Sequence, residues 1–421
     1  MQQLDFIDEL TSQSILDIEE SLYNDFNQYV KYEEDEYNTI SKRVDYKSAI
    51  SISELEKAAK LCRKSVSWKD SVAVWTHNRH ENCNKLRKSL LTGKYKISDY
   101  VSFMITEPKP RIIFSTRFTD RVFQRSLCNN GLYYLLTRRL IADNPACRLS
   151  MGTDYTINRL KGYIESFMAK NNDIRIGYYV KLDIHNYFAS IPHSLLKEDV
   201  AELIEDPMFR FHTNQVIDSF AGIFVPSEEE MKTYNMEDVG IRGLGLGSQI
   251  SQLLALVYLN KFDHLVKEQW KVPYYIRYMD DMIFLCRTYQ EAESIFKKSI
   301  EYINQNRKLP INPKSHIAQF RYRQPIEFMK KRFLINKTWN GVAIRKNKKS
   351  IGVELNRISH YMKCLRDKTM TLEEVVTNLK GWMGASRKYL SKHQYDYVMR
   401  YIKTQFNEKV LASINEENSK Y

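Results

Sequence analysis

The sequence predicts an α+β fold in which helices surround an antiparallel sheet. Three observations lead there. Apolar residues recur at helical spacing over residues 52–91 and again from Gln290. Short runs rich in Tyr, Ile, Phe and Val, at residues 101–118, 178–188 and 272–286, have the composition of strands. No internal repeat or low-complexity linker breaks the chain, and after Glu327 strands give way to helices that continue to the end.

The chain up to Glu36 holds eleven acids against one base, Lys31. It reads as partly helical and solvated; such charge avoids a phosphate backbone and suits the protein's own basic surface or a partner. Within residues 52–91, Trp68 and Trp75 are expected to anchor the core. "VSFMITEPKPRIIFSTRF" places β-forming residues on both sides of Pro108 and Pro110, which predicts two strands around a loop. Residues 120–136 look helical, and "YYVKLDIHNYF" begins as a strand. "GSQISQLLALVYLNKFDHLV" predicts an amphipathic helix, with Ile250, Leu253, Leu254, Val257 and Leu265 at helical spacing. "VPYYIRYMDDMIFLC" predicts a strand pair around a turn, because apolar and aromatic residues flank a polar centre.

Charge narrows the class of partner. The 421 residues include 64 Lys+Arg and 51 Asp+Glu, a formal net charge of +13. A basic balance of this size suggests a polyanion, most often nucleic acid. The six cysteines form no CxxC pair, which argues against structural zinc and fits a reducing cytoplasm, the expected location. The acidic first twenty residues lack the positive start of a secretory leader, and no long uncharged apolar run predicts a membrane span.

Asp280 and Asp281 stand side by side in the apolar run "YYIRYMDDMIFLC". Adjacent acids in such a segment are costly, because each loses hydration and repels the other. They are kept together where a divalent cation neutralises them: Mg²⁺ takes hard oxygen ligands from one or two carboxylates plus substrate phosphates. Two-metal phosphoryl transfer needs a further acid from a neighbouring strand. Asp183 suits that place, at the end of the apolar strand "YYVKLD".

Taken together, the motifs resemble those of prokaryotic reverse transcriptases. "YMDD" matches the family's catalytic hairpin, and "LDIHNYFASIP" the strand that carries its first aspartate. "GLGLGSQISQ" resembles the glycine-containing loop and helix, "INPKS" the next motif with its lysine, and "PKPRIIFSTRFTDRVFQRSL" the fingers segment. They occur in the family's order between Pro108 and Leu334. The resemblance implies a right-hand polymerase, with fingers, a palm built on a ferredoxin-like antiparallel sheet, and a helical thumb. It implies a division into residues 1–95 (N-terminal helical extension and start of the fingers), 96–325 (fingers and palm) and 326–421 (primer-grip hairpin and thumb).

The implied activity is RNA-directed DNA polymerisation from dNTPs, with RNA template, DNA product and two Mg²⁺ ions, for which Mn²⁺ can substitute. Asp183, Asp280 and Asp281 become the catalytic acids and metal ligands, joined by the backbone carbonyl of Ile184. Phe188, five residues after Asp183, falls on the steric gate that excludes a 2′-OH. Lys109 and Arg111 are candidates to hold the triphosphate, beside Gly247 and Gln252. Lys314 either donates a proton to the leaving pyrophosphate or offsets its charge. Residues 330–349 carry eight bases and no acid, with Phe333 and Trp339 interleaved. Lys330, Lys331, Arg332, Arg345, Lys346, Lys348 and Lys349 are therefore candidates to track a nucleic-acid backbone, against the plainer reading of a solvated hairpin.

Two motifs depart from the common family pattern. Leu246 replaces a glutamine and Gln252 a proline in "LGSQISQ", a form similar to diversity-generating retroelement enzymes. Lys330 occupies the glycine position of the primer grip in "FMKKRF". The resemblance therefore covers two kinds of element. One is a retroelement polymerase of a bacterium or phage working with an accessory protein. The other is an antiviral defence enzyme of the abortive-infection type, using a noncoding RNA or priming from a protein hydroxyl, which the 28 tyrosines would permit. A non-catalytic nucleic-acid scaffold is disfavoured by the intact acids.

Overall fold

The computed structural model describes residues 44–405, apart from 65, 106–109, 235 and 237–238. The acidic N-terminal stretch and Lys109 lie outside the described residues. Nine strands are described: β1 (Val101–Ile105), β2 (Arg111–Ser115), β3 (Gly177–Leu182), β4 (Tyr275–Tyr278), β5 (Asp281–Cys286), β6 (His316–Phe320), β7 (Ile326–Phe328), β8 (Lys331–Ile335) and β9 (Val342–Lys346). They form a β1–β2 hairpin, a four-stranded sheet of order β4-β5-β3-β6, and a three-stranded sheet β7-β8-β9. The four-stranded order, with helices in the β3–β4 and β5–β6 connections, is that of the ferredoxin-like split βαβ unit. The fold class is the expected α+β, right-hand polymerase type.

The chain divides into two compact units. Among the described residues, one comprises those up to Thr156, Leu182–Met282 and Phe296–His316; the other comprises Ile157–Lys181, Ile283–Ile295 and those from Ile317 onward.

In the first unit, the helical reading of residues 52–91 resolves into helices Ile52–Arg63, Asp70–His77 and Arg79–Leu91. Ser51 caps the first by accepting from the Glu54 amide, and Leu55, Ala58, Ala59 and Cys62 line its buried face at three- and four-residue spacing. Trp75 donates its indole N–H to Thr119 and meets Phe118 edge-on. Trp68 does not anchor the core: it sits in the turn before Asp70–His77 and is 76% exposed. Helical spacing cannot tell a buried face from a turn that merely follows a helix.

The predicted amphipathic helix proves to be Gln249–Tyr258, followed after Leu259 by Asn260–His264 and a π-helical turn, Leu265–Gln269. Every residue from Ile250 to Tyr258 except Gln252 is buried, so it is a central helix rather than an amphipathic one.

In the second unit, helices Lys348–Arg366, Leu372–Ser386 and Lys392–Gln405 follow the β7-β8-β9 sheet. Thr371 and Glu374 form a reciprocal capping box that starts the middle helix. Ile351, Ile358, Val375, Leu379, Met383, Val398 and Ile402 make up much of the shared apolar core.

Candidate active site

Asp183 follows the last residue of β3, where the chain leaves the sheet. The turn at residues 312–315 holds it on several sides. The Asn312 amide donates to the Asp183 carbonyl (2.9 Å), and the Asn312 side chain donates to the Asp183 carboxylate (2.9 Å). Ser315 Oγ accepts from the Asp183 amide (3.0 Å) and donates to its carbonyl (3.2 Å). The bridge Ile184↔Ile311 continues this pairing. Lys314 is exposed on the same turn. Sequence reading singled out the lysine of "INPKS"; the residues that grip Asp183 are its neighbours Asn312 and Ser315.

Asp280 and Asp281 sit at the β4–β5 turn, where Met279 takes a left-handed conformation (φ 59°). Strain at a non-glycine residue persists when its surroundings over-determine it. Arg277 supplies that constraint. Its guanidinium donates to the Met279 carbonyl (2.9 Å), the Leu256 carbonyl (2.9 Å) and both oxygens of Asp263 (2.8 and 2.6 Å). Arg277 and Asp263 are both 0% exposed. Tyr275 and Asn144 also donate to Asp263. Burial alone would pull the Arg277 pKa down, but the charge of Asp263 and its hydrogen bonds raise it. Sequence reading missed this pair; the only signal was a charged residue three positions before Asp280.

The three acids share one electrostatic field. Burial first, then the charges of Asp281 and Asp183, push the Asp280 carboxyl up to about 6, and Arg111 opposes the rise. Among the described residues, no three His, Cys, Asp or Glu side chains converge tightly enough to cage a metal. The donor chemistry nevertheless fits a hard cation: mutually repelling carboxylates gain from neutralisation, and Mg²⁺ habitually completes its shell with water and substrate phosphates.

The remaining predicted residues take distinct places in the first unit. Phe188 is half-buried, edge-on to Tyr187, and its carbonyl accepts from Leu244 (2.8 Å). Gly247 has φ 124°, and a Cβ there would lie 2.7 Å from the Phe114 carbonyl oxygen, so a side chain is barred. The Phe114 amide donates to the Leu246 carbonyl (2.7 Å), which ties β2 to this loop. Cys147 Sγ donates to the Gln252 side chain (3.5 Å). Arg111 opens β2, exposed.

The second unit holds the basic stretch. Met329 and Lys330 form the two-residue β7–β8 turn with φ 48° and 59°, so Lys330 adopts the conformation that glycine would favour. In the β8–β9 ladder, Lys331 faces Lys346 and Arg332 faces Arg345. These basic pairs occupy opposite faces. Lys331 lies over the Tyr389 ring; Lys346, only 9% exposed, lies over Trp382 and donates to Ser386 (2.5 Å). Lys346, a candidate to track a nucleic-acid backbone, is turned inward by strand alternation and packs against these groups. Arg332 pairs with Glu327 across the strands. Lys349 is exposed, and its amide donates to Asn347 in the cap of helix Lys348–Arg366. Trp339 is buried and stacked on Phe320, hence not free to stack on bases.

The ferredoxin-like sheet is that of a right-hand polymerase palm, and Asp183, Asp280 and Asp281 lie at its strand ends. Residues 123–329 match the family described as "Reverse transcriptase (RNA-dependent DNA polymerase)", so the chain carries a reverse transcriptase family domain. No curated protein matches the chain. Similar solved structures include apo telomerase from Candida tropicalis truncated from its C-terminal domain: 14% identity, TM-score 0.40, covering 64% of this chain and 60% of that one. Another is telomerase from Candida albicans in complex with a TWJ fragment of telomeric RNA: 11% identity, TM-score 0.41, covering 82% of this chain and 66% of that one. The chain spans less than two thirds of the length of either. No helix among the described residues is long and apolar enough to cross a membrane.

Proposed function

We propose that this chain is an RNA-directed DNA polymerase of a bacterial or phage element, adding dNTPs to a primer along an RNA template. The observation that carries the reading is the coupling of Asp280 to Asp281 and Asp183 inside the segment that matches the reverse transcriptase family. Asp183, Asp280, Asp281 and the Ile184 carbonyl would hold Mg²⁺. A divalent cation held by these groups would supply activation of the primer hydroxyl and neutralisation of the leaving pyrophosphate.

The protein's own groups do the positioning. Asn312 and Ser315 fix the Asp183 carboxylate and its backbone. Arg277 fixes the turn that presents Asp280 and Asp281. Phe188 offers a ring against which a 2′-OH has no room, selecting dNTPs. Arg111, whose charge already reaches Asp280, draws the triphosphate toward the acids. Arg345, opposite the Glu327-paired Arg332 in the β8–β9 ladder, leaves that face with a net positive charge suited to a phosphate backbone.

The test is primer extension on a defined RNA template with Mg²⁺ and dNTPs. Asp280→Ala with Asp281→Ala should abolish incorporation while thermal melting stays near wild type, since removing like charges relieves repulsion. Undiminished synthesis by the double variant would reject the site.

A further inference from the structure

We infer that Glu230 is a positioning residue for sugar selection, acting through the turn that carries Phe188. This rests on the polymerase reading. Glu230 belongs to a short helix, Glu228–Thr233, capped by Ser227 and set in the segment between helix Pro207–Asp218 and the glycine loop. Its Oε1 lies 2.9 Å from His185 Nε2 and 2.9 Å from Asn186 Nδ2. A carboxylate only accepts, so both side chains donate to one oxygen. Tyr234, the residue that ends the same helix, stacks its ring on His185 at 3.6 Å between centroids.

These contacts fall on the two residues between Ile184 and the steric-gate turn. Asn186 is left-handed (φ 45°, ψ 47°) and precedes the helical turn Tyr187–Ser190. The Ser190 amide donates to the Asn186 carbonyl, and Ser190 Oγ donates to the His185 carbonyl (both 3.0 Å). The His185 amide in turn donates to Pro310 (2.9 Å). A left-handed asparagine tolerates its conformation best when its side chain is held. Glu230 holds it from outside the turn, and the orientation of the Phe188 ring follows from the backbone it sits on.

The experiment compares wild type, Glu230→Ala and Glu230→Gln. With dNTP and rNTP incorporation measured separately, Glu230→Ala should lower the dNTP-over-rNTP preference in kcat/KM by up to roughly tenfold, the upper end for an ordinary hydrogen bond, and Glu230→Gln, which keeps the accepting oxygen, should restore most of it. A parallel measurement needs no activity: amide exchange at Ser190 should quicken in Glu230→Ala and return in Glu230→Gln. Unchanged preference in a folded, active Glu230→Ala variant overturns the inference, as does unchanged exchange. Faster exchange in a protein whose wild type incorporates no nucleotide overturns the polymerase reading, and reduces Glu230 to a structural contact.

Discussion

Asp263→Asn should damage this protein more than its distance in sequence from the Asp280–Asp281 pair suggests. Asp263 accepts four hydrogen bonds, two from Arg277 and one each from Tyr275 and Asn144, and it is fully buried. Asparagine keeps the volume but removes the charge, and turns one acceptor into a donor facing donors. Breaking a buried ion pair from one side costs ~3–5 kcal/mol, because the guanidinium is left uncompensated. That is a large part of a typical total of ~5–15 kcal/mol. A double variant, Asp263→Leu with Arg277→Met, should lose less than the sum of its single variants, since neither charge is stranded; we expect a coupling of at least ~2 kcal/mol. It should still polymerise poorly, because the Met279 and Leu256 carbonyls lose their donor. Urea denaturation gives the stabilities and single-turnover incorporation the rates. If Asp263→Asn stays within ~1 kcal/mol of wild type, or the two substitutions add, the pair does not support the hairpin.

Three other outcomes are expected. Phe188→Ala should admit rNTPs, measured as rNTP against dNTP incorporation; unchanged discrimination would make Phe188 a packing residue. Arg332→Ala with Arg345→Ala should lower the log–log salt slope of nucleic-acid binding by roughly two, one per lost phosphate contact; an identical slope would mean that both face solvent when nucleic acid is bound. Lys346 should make stability rise with pH: burial first, then Lys331, lowers its pKa from 10.5 to about 8. Because the folded pKa is the lower one, the unfolded chain binds more protons between those values, so stability increases from about pH 8 to 10.5. Lys346→Met should flatten that rise in denaturation curves taken across the range; an unchanged rise would assign it elsewhere.

Where neighbours in the chain were also neighbours in space, the sequence could be read directly. Tyr278 to Asp281 close one hairpin, so the acid pair, the flanking strands and the turn all appear in a single tetrapeptide and its flanks. The strand ending at Leu182 puts Asp183 and Phe188 within six residues, and β-forming runs around Pro108 and Pro110 marked the β1–β2 hairpin. Periodicity carried the helices, because 3.6-residue repetition is a local property.

What depended on distant partners was not legible. Asp263 looks like any helix-face acid until Arg277 is folded against it. Asn312 and Ser315 look like turn residues until the strand bearing Asp183 arrives. Lys346 looks solvated until Trp382 and Ser386, some forty residues later, close over it. Composition identifies a charge or a ring but not its burial, and burial decides whether a charge meets water, a partner or a phosphate. The candidate acids Asp183, Asp280 and Asp281 were therefore written in local sequence, whereas the residues that hold them in place were decided by tertiary packing.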